Sequence, residues 1–193
     1  MTAFLYLRHA ETAISDRLEW HGNADPPLSP AGKAHALQAA RVLLALEYEL
    51  PTIVTSDCRR AKETAAACSE VLRCPVVPDA SLRERDLGDW TGLGLGEIEE
   101  GWPGRLEAWK QRKLPGPPGG ETDREVAARV TRALLSYRAN DPGSKRLIIA
   151  HAGLLRALLA WSGMADEEIP PLSGRWLTLL PRRRLVIGET ASF

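Results

Sequence analysis

The chain alternates short apolar runs with longer stretches that have helical spacing. Phe4 to Leu7 is an apolar run near the start and reads as a buried strand. Polar and turn-forming residues from Glu11 to Pro27 read as a loop. Ser29-Pro30 has the form of a helix N-cap followed by proline at the first helical position. Leu37, Ala40 and Leu44 then recur at spacings of three and four, which puts them on one helical face. Pro51 lies past the end of that helix. Thr52-Ile53-Val54-Thr55 is β-branched throughout and reads as a second strand. A helix from Arg59 to Leu72 follows, then a short third strand, Pro75-Val76-Val77, whose prolines suit a sheet edge.

From Leu82 to Gly120 the pattern weakens. Glu97 to Lys113 holds helical spacing that Pro103 and Gly104 interrupt, and Gly116-Pro117-Pro118-Gly119-Gly120 is a loop. Thr122 opens an amphipathic helix with Val126, Val130, Ala133 and Tyr137 on its inner face and Asp123, Arg124 and Arg132 outward. Leu147 to Ala150 is a fourth strand. Leu154 to Trp161 is apolar nearly all round, so it reads as a well-buried helix ending at Gly163. Trp176 to Leu180 and Leu185 to Ile187 read as closing strands. Strands alternating with helices predict an α/β fold, a three-layer sandwich with a mostly parallel central sheet flanked by helices. No repeat or linker divides the chain, so residues 1–193 are expected to form a single domain.

Composition narrows the function classes. Lys plus Arg and Asp plus Glu are both 25, giving a formal net charge of +0. That balance favours neither nucleic acid nor an anionic membrane as partner, since both call for a basic surface. An anion must instead be met by a local cluster of cations. Cys58, Cys68 and Cys74 lack zinc-ligand spacing and are expected to be free thiols in a reducing compartment. The apolar run before Arg8 is too short for a signal peptide, and no stretch approaches the length of a membrane span. A cytoplasmic protein is expected, and its oligomeric state is open.

The candidate chemistry is a matter of position. Arg8-His9 follows the first strand, Ser56-Asp57-Cys58-Arg59-Arg60 the second, and His151 the fourth. In open parallel sheets, ligands bind beyond the carboxyl ends of the strands. Taken singly, each residue is as readily a surface residue that happens to follow a strand; together they bring two histidines and three arginines to one rim. A zinc site on His9 and His151 lacks an evident third ligand, and no metal or other cofactor is expected. Gly92-Leu93-Gly94-Leu95-Gly96 does not have dinucleotide-binding spacing and reads as a flexible loop. Trp90, Trp102 and Trp109 are expected to pack the middle segment onto the body rather than to wall a substrate. His35 lies within the first helix and reads as structural or exposed.

The run Leu7-Arg8-His9-Ala10-Glu11-Thr12 resembles the signature of the histidine phosphatase superfamily, which includes the phosphoglycerate mutases. Gly22-Asn23-Ala24-Asp25-Pro26-Pro27-Leu28-Ser29, the segment from Thr55 to Ala65, Leu82-Arg83-Glu84 with Gly88-Asp89-Trp90-Thr91-Gly92, Gly119-Gly120-Glu121-Thr122 and Ile149-Ala150-His151-Ala152-Gly153 resemble its further blocks, in order. The resemblance implies His9 as a nucleophile that becomes phosphorylated. It implies Arg8, Arg60 (rather than Arg59) and His151 as phosphate ligands, and Glu84 as general acid and base. Ser15, His21, Gly22 and Ala152 complete the expected substrate contacts. The chemistry suits these residue types. A neutral imidazole attacks a dianionic phosphate without added charge repulsion, and arginines grip the oxygens while opposing protonation of His9. Ala10 and Ala152 replace glycines of the pattern, and Ser15 stands where many members have asparagine.

The resemblance admits a phosphatase or a mutase. Mutases carry a longer insertion between the blocks around Glu84 and Gly120 and an extended C-terminal part, both absent here, so hydrolysis of a small phosphorylated substrate is expected. α-Ribazole phosphatases and broad-specificity sugar phosphatases are nearest in build, and the sequence does not choose between them. A non-catalytic phospho-ligand binder would be expected to have lost the nucleophile, which is present.

Overall fold

Alternation along the central strands builds the layers. In a computed structural model that describes residues 1–13, 25–141, 143–181 and 184–193, β1 spans Thr2–Arg8. Its Phe4 and Tyr6 enter one core, and Leu5 and Leu7 enter another on the opposite face. β4, Arg146–Ala150, divides the same way: Ile148 and Ala150 join Phe4 and Tyr6, while Leu147 and Ile149 join Leu5 and Leu7. A period of two with both faces apolar is what a strand covered by helices on each side requires.

The helices on one face are α1, Pro30–Ala45, and α2, Arg59–Leu72, which pack against each other. On the other face lie α5, Asp123–Asn140, and α6, Ala152–Trp161. Between them the chain makes β2, Ile53–Ser56, β3, Val76–Asp79, and two short helices, α3, Leu95–Gly101, and α4, Arg105–Lys110. Two antiparallel strands close the sheet, β5, Ser173–Leu179, and β6, Leu185–Ser192. The six strands run in the order β3-β2-β4-β1-β5-β6, with β1, β2, β3 and β4 parallel. The expected three-layer α/β sandwich is the fold observed.

Local signals explain most boundaries. Ser29 caps α1 by accepting the Gly32 N–H at 2.9 Å, and Thr122 caps α5 with Glu125 completing the reciprocal pair. Gly32 has a second reason to be glycine, because a Cβ there would lie 2.1 Å from the Glu11 carbonyl oxygen. The first turn of α1 therefore packs directly on the segment that follows β1.

Some expectations are corrected. α1 buries Ala36, Ala39, Ala40 and Leu43, leaving Leu44 exposed at 55%. The small side chains face α2, whose Ala61 and Ala65 are buried in turn, so the alanine stripe rather than the leucines marks the close approach. β3 starts one residue later than expected and runs on to Asp79. Asp123 is not simply outward, because it pairs with the buried Arg85. Gly94 starts α3, with its N–H held by Glu97, so that glycine-rich run is a helix entry. Trp161 is 63% exposed at the end of an otherwise buried helix. Trp90, by contrast, is fully buried beside Trp102 and Trp109, and Leu87, Ile98 and Leu106 complete that cluster. His35 is exposed.

Candidate active site

The strand order explains why residues far apart in sequence meet. β2, β4 and β1 are neighbours, so the loops leaving their carboxyl ends share one rim. Arg8 pairs in register with Ala150, and the His9 N–H continues the ladder by donating to the Ala150 carbonyl at 2.9 Å. This sets His9 and His151 side by side, with ring centroids 5.3 Å apart and planes at 65°. Both are buried, His151 completely.

Each ring has a defined environment. His9 Nδ1 lies 2.6 Å from the Ala10 carbonyl oxygen, which can only accept, so Nδ1 carries the proton and Nε2 the lone pair. Arg60 Nε–H donates to that Nε2 at 3.2 Å. Arg60 is 1% exposed in the first turn of α2, whereas Arg59 turns outward and pairs with Glu63. The backbone around the pair is locked: Thr64 Oγ1 donates to the Arg60 carbonyl and accepts the Ala10 N–H. Neither Ala10 nor Ala152 has positive φ, so alanine is accommodated where the family pattern has glycine.

His151 is gripped from two sides that the sequence reading did not identify. Tyr6, buried on β1, donates its hydroxyl to the His151 carbonyl at 2.8 Å and accepts the His151 N–H at 3.2 Å. Ser56, the last residue of β2, places its hydroxyl 2.8 Å from His151 Nε2. The only signal for either was strand position: Tyr6 is a polar-tipped residue inside an apolar run, and Ser56 follows three core residues. Burial, and after it the charge of Arg60, hold the His151 ring well below the usual histidine range, with His9, Arg8 and Arg129 adding to the effect. Both causes favour the neutral form of the His151 ring. Burial likewise raises the Tyr6 hydroxyl, with Glu84 as the next cause, so Tyr6 stays protonated as a donor.

Arg8 leaves the end of β1 and donates from Nη1 to the Ile169 carbonyl at 2.8 Å. Burial lowers its pKa first; Glu84 counters that, Arg60 reinforces it, and Glu168 counters it. Arg8 Nε and His151 Nδ1 are buried without a hydrogen-bond partner among the described residues. Such groups are costly in a folded protein unless a ligand satisfies them.

Glu84 reaches the same rim from the middle segment. Its two carboxylate oxygens accept the Arg85 N–H at 2.7 Å and the Gly153 N–H, in the first turn of α6, at 3.2 Å. A Cβ on residue 153 would lie 2.4 Å from Glu84 Oε1, which accounts for glycine two residues after His151. Two other carboxylates of this part of the chain are engaged elsewhere: Glu121 takes both Arg129 Nε and Nη2, and Asp86 accepts the Gly88 N–H. Ala152 stands at the start of α6 beside His151. Ser15, His21 and Gly22 lie outside the described residues. Among the described residues, no group of three or more His, Cys, Asp or Glu side chains is placed to hold a metal ion.

The site thus brings together an imidazole with its lone pair on Nε2, the buried Arg60, the part-buried Arg8 and a carboxylate, residue types suited to transferring a phosphoryl group. Comparison with known proteins agrees. Residues 4–175 match the profile of the histidine phosphatase superfamily, branch 1. The glucosyl-3-phosphoglycerate phosphatase of Mycolicibacterium vanbaalenii is 36% identical over 199 residues, covering 97% of this chain and 87% of that protein. A solved mycobacterial glucosyl-3-phosphoglycerate phosphatase in complex with VO3 superposes with a TM-score of 0.87 at 29% identity, covering 99% of each chain. A 2,3-bisphosphoglycerate-dependent phosphoglycerate mutase of Methylobacterium radiotolerans is 31% identical over 176 residues, covering 88% of this chain and 83% of that one. The chain belongs to the histidine phosphatase superfamily, on its phosphatase side.

Proposed function

We propose that the protein hydrolyses phosphate monoesters of small metabolites through a phosphohistidine on His9. The observation that carries this reading is the state of the His9 ring. Its Nδ1–H is committed to the Ala10 carbonyl, which leaves the lone pair on Nε2, where it accepts the Nε–H of the buried Arg60. In the first step, Nε2 attacks phosphorus and the P–O bond to the alcohol breaks, while Glu84 gives a proton to the departing oxygen. Arg8, Arg60 and His151 bear the charge on the three phosphoryl oxygens, which is where phosphoryl transfer needs stabilisation. In the second step, Glu84 takes a proton from water as that water attacks phosphorus. The P–N bond then breaks, and inorganic phosphate leaves with His9 restored.

The arginines supply the positive charge, so the reaction is expected to run without a divalent cation. The names of the relatives direct the substrate search toward phosphorylated glycerate and sugar derivatives, the glucosyl ester of 3-phosphoglycerate among them. Three buried free cysteines fit a reducing, cytoplasmic setting. Among the described residues, no helix is long and apolar enough to cross a membrane. The test is phosphate release from a panel of phosphorylated metabolites and p-nitrophenyl phosphate in the presence of EDTA. Turnover there is the expected result. Turnover that appears only when a metal is added back, or phosphoglycerate isomerisation in place of release, would contradict it.

A further inference from the structure

Ser56 lies under the reacting groups with its hydroxyl fully buried, and the reaction described above assigns it nothing. Its Oγ has two contacts among the described residues. It accepts the Cys58 N–H at 3.3 Å, and it lies 2.8 Å from His151 Nε2. A hydroxyl has one proton to give. The oxygen can accept twice, so the assignment rests on that proton, for which His151 Nε2 is the acceptor within reach among the described residues. Nε2 must then be the unprotonated nitrogen of the ring, and the ring proton sits on Nδ1. That atom is the one buried with no protein partner among the described residues.

We infer that Ser56 is a positioning residue: its hydroxyl fixes His151 in the tautomer protonated on Nδ1, so that this N–H is donated to the phosphoryl group during transfer. The inference rests on the phosphatase reading and adds to it the means by which a neutral ring becomes a donor. A cationic, water-poor surrounding disfavours the imidazolium, so His151 has a single proton to offer. In the opposite tautomer Nδ1 would present a lone pair to the phosphoryl oxygens, and the ring would repel the group it faces. Tyr6 removes the remaining freedom by holding the His151 backbone at both its carbonyl and its N–H. Backbone and ring are thus oriented by separate hydroxyls on the two strands that flank β4.

The tautomer can be read without turnover. In protein labelled with 15N-histidine, long-range proton–nitrogen correlation spectra should show His151 Nδ1 as pyrrole-type and Nε2 as pyridine-type, with the ring assigned by its loss in His151→Gln. A wild-type ring protonated on Nε2 overturns the inference, whatever the activity. Ser56→Ala should shift the ring toward a mixture of tautomers, weaken inhibition by inorganic phosphate, and lower kcat about 10–100-fold, the scale seen when a metal-bound histidine loses its outer hydrogen-bond partner. Ser56→Thr, which restores a hydroxyl, should recover most of the rate. An alanine variant with the wild-type tautomer and unchanged phosphate inhibition also overturns it. Because the spectra report the resting protein, failure of the phosphohistidine reading would leave the tautomer result standing, and the two failures are separable.

Discussion

The side of the site proposed to hold the nucleophile and the side proposed to deliver the proton are built by different means. His9, Arg60 and His151 stand on the ends of strands and in the first turn of a helix, and hydrogen bonds in the sheet and helix ladders fix their backbones. All three are buried. Glu84 stands on an irregular segment between β3 and α5 that tertiary tethers hold in place. Arg129 reaches the Ser81 and Arg83 carbonyls, Arg83 pairs with Asp57, and the Gly153 N–H meets the carboxylate itself. One of those tethers, Arg83–Asp57, and the Arg129–Glu121 pair beside them are partly exposed ion pairs of the kind that contribute modestly in water. On the proposed reaction, the difference teaches that the phosphate-binding groups are preorganised by the fold, while the proton donor depends on a few contacts that can be changed one at a time.

The comparison breaks most visibly at Arg60. Arg60→Ala removes a buried cation from the proposed phosphoryl site and should lower kcat/KM by a factor of about 30 to 5,000, equivalent to about 2–5 kcal/mol for a charged contact left unpaired. Arg59→Ala, in an exposed pair with Glu63, should change it little. Similar losses in the two variants would dissolve the distinction between the buried cradle and the rim.

On the acid side the expected loss depends on the leaving group. Glu84→Gln should slow an alkyl phosphate by about 10²–10⁴-fold and p-nitrophenyl phosphate far less, because nitrophenolate leaves without a proton. Burst-phase rates isolate the first transfer. Gly153→Ala should reproduce this pattern more weakly, since its Cβ would displace the Glu84 carboxylate while leaving His9 and Arg60 alone. Equal losses on both substrates would make Glu84 a positioning group.

The smallest effect concerns stability. His151 is held below its ordinary value near 6.5, so the unfolded chain binds a proton at a pH where the folded protein does not. Stability should therefore be full above about pH 6.5 and fall as the pH drops below it. The slope for this one group approaches about 1.4 kcal/mol per pH unit. Wild type should lose Tm between pH 6.5 and 5 more steeply than His151→Gln, measured by thermal unfolding across that range. Parallel curves would mean that His151 takes up its proton without cost.

Much of this was legible before the structure. Apolar runs marked the strands, Ser29-Pro30 marked the start of α1, and α2 was expected at about its observed bounds. The placement of Arg8, His9, Arg60 and His151 after strands already pointed to one rim. Strand order was not legible, because periodicity identifies a strand but not its neighbours, and the meeting of the three loops depends on β4 lying between β1 and β2. The buried face of α1 was misread because alanines at a close helix contact carry little hydrophobic signal beside exposed leucines. Ser56 and Tyr6 were missed for a related reason. Each is a hydroxyl inside a strand, and its partner lies about a hundred residues or more away.

The account rests on covalent chemistry at one nitrogen, and one measurement addresses it. Wild-type enzyme is mixed rapidly with a substrate labelled in its phosphoryl group, quenched in alkali and digested. The labelled peptide should contain His9, and the label should be stable to base and lost in acid. His9→Ala should carry none and should release no phosphate above background. An undiminished label in His9→Ala, or a label on a different residue in wild type, would contradict the assignment of His9 as the nucleophile.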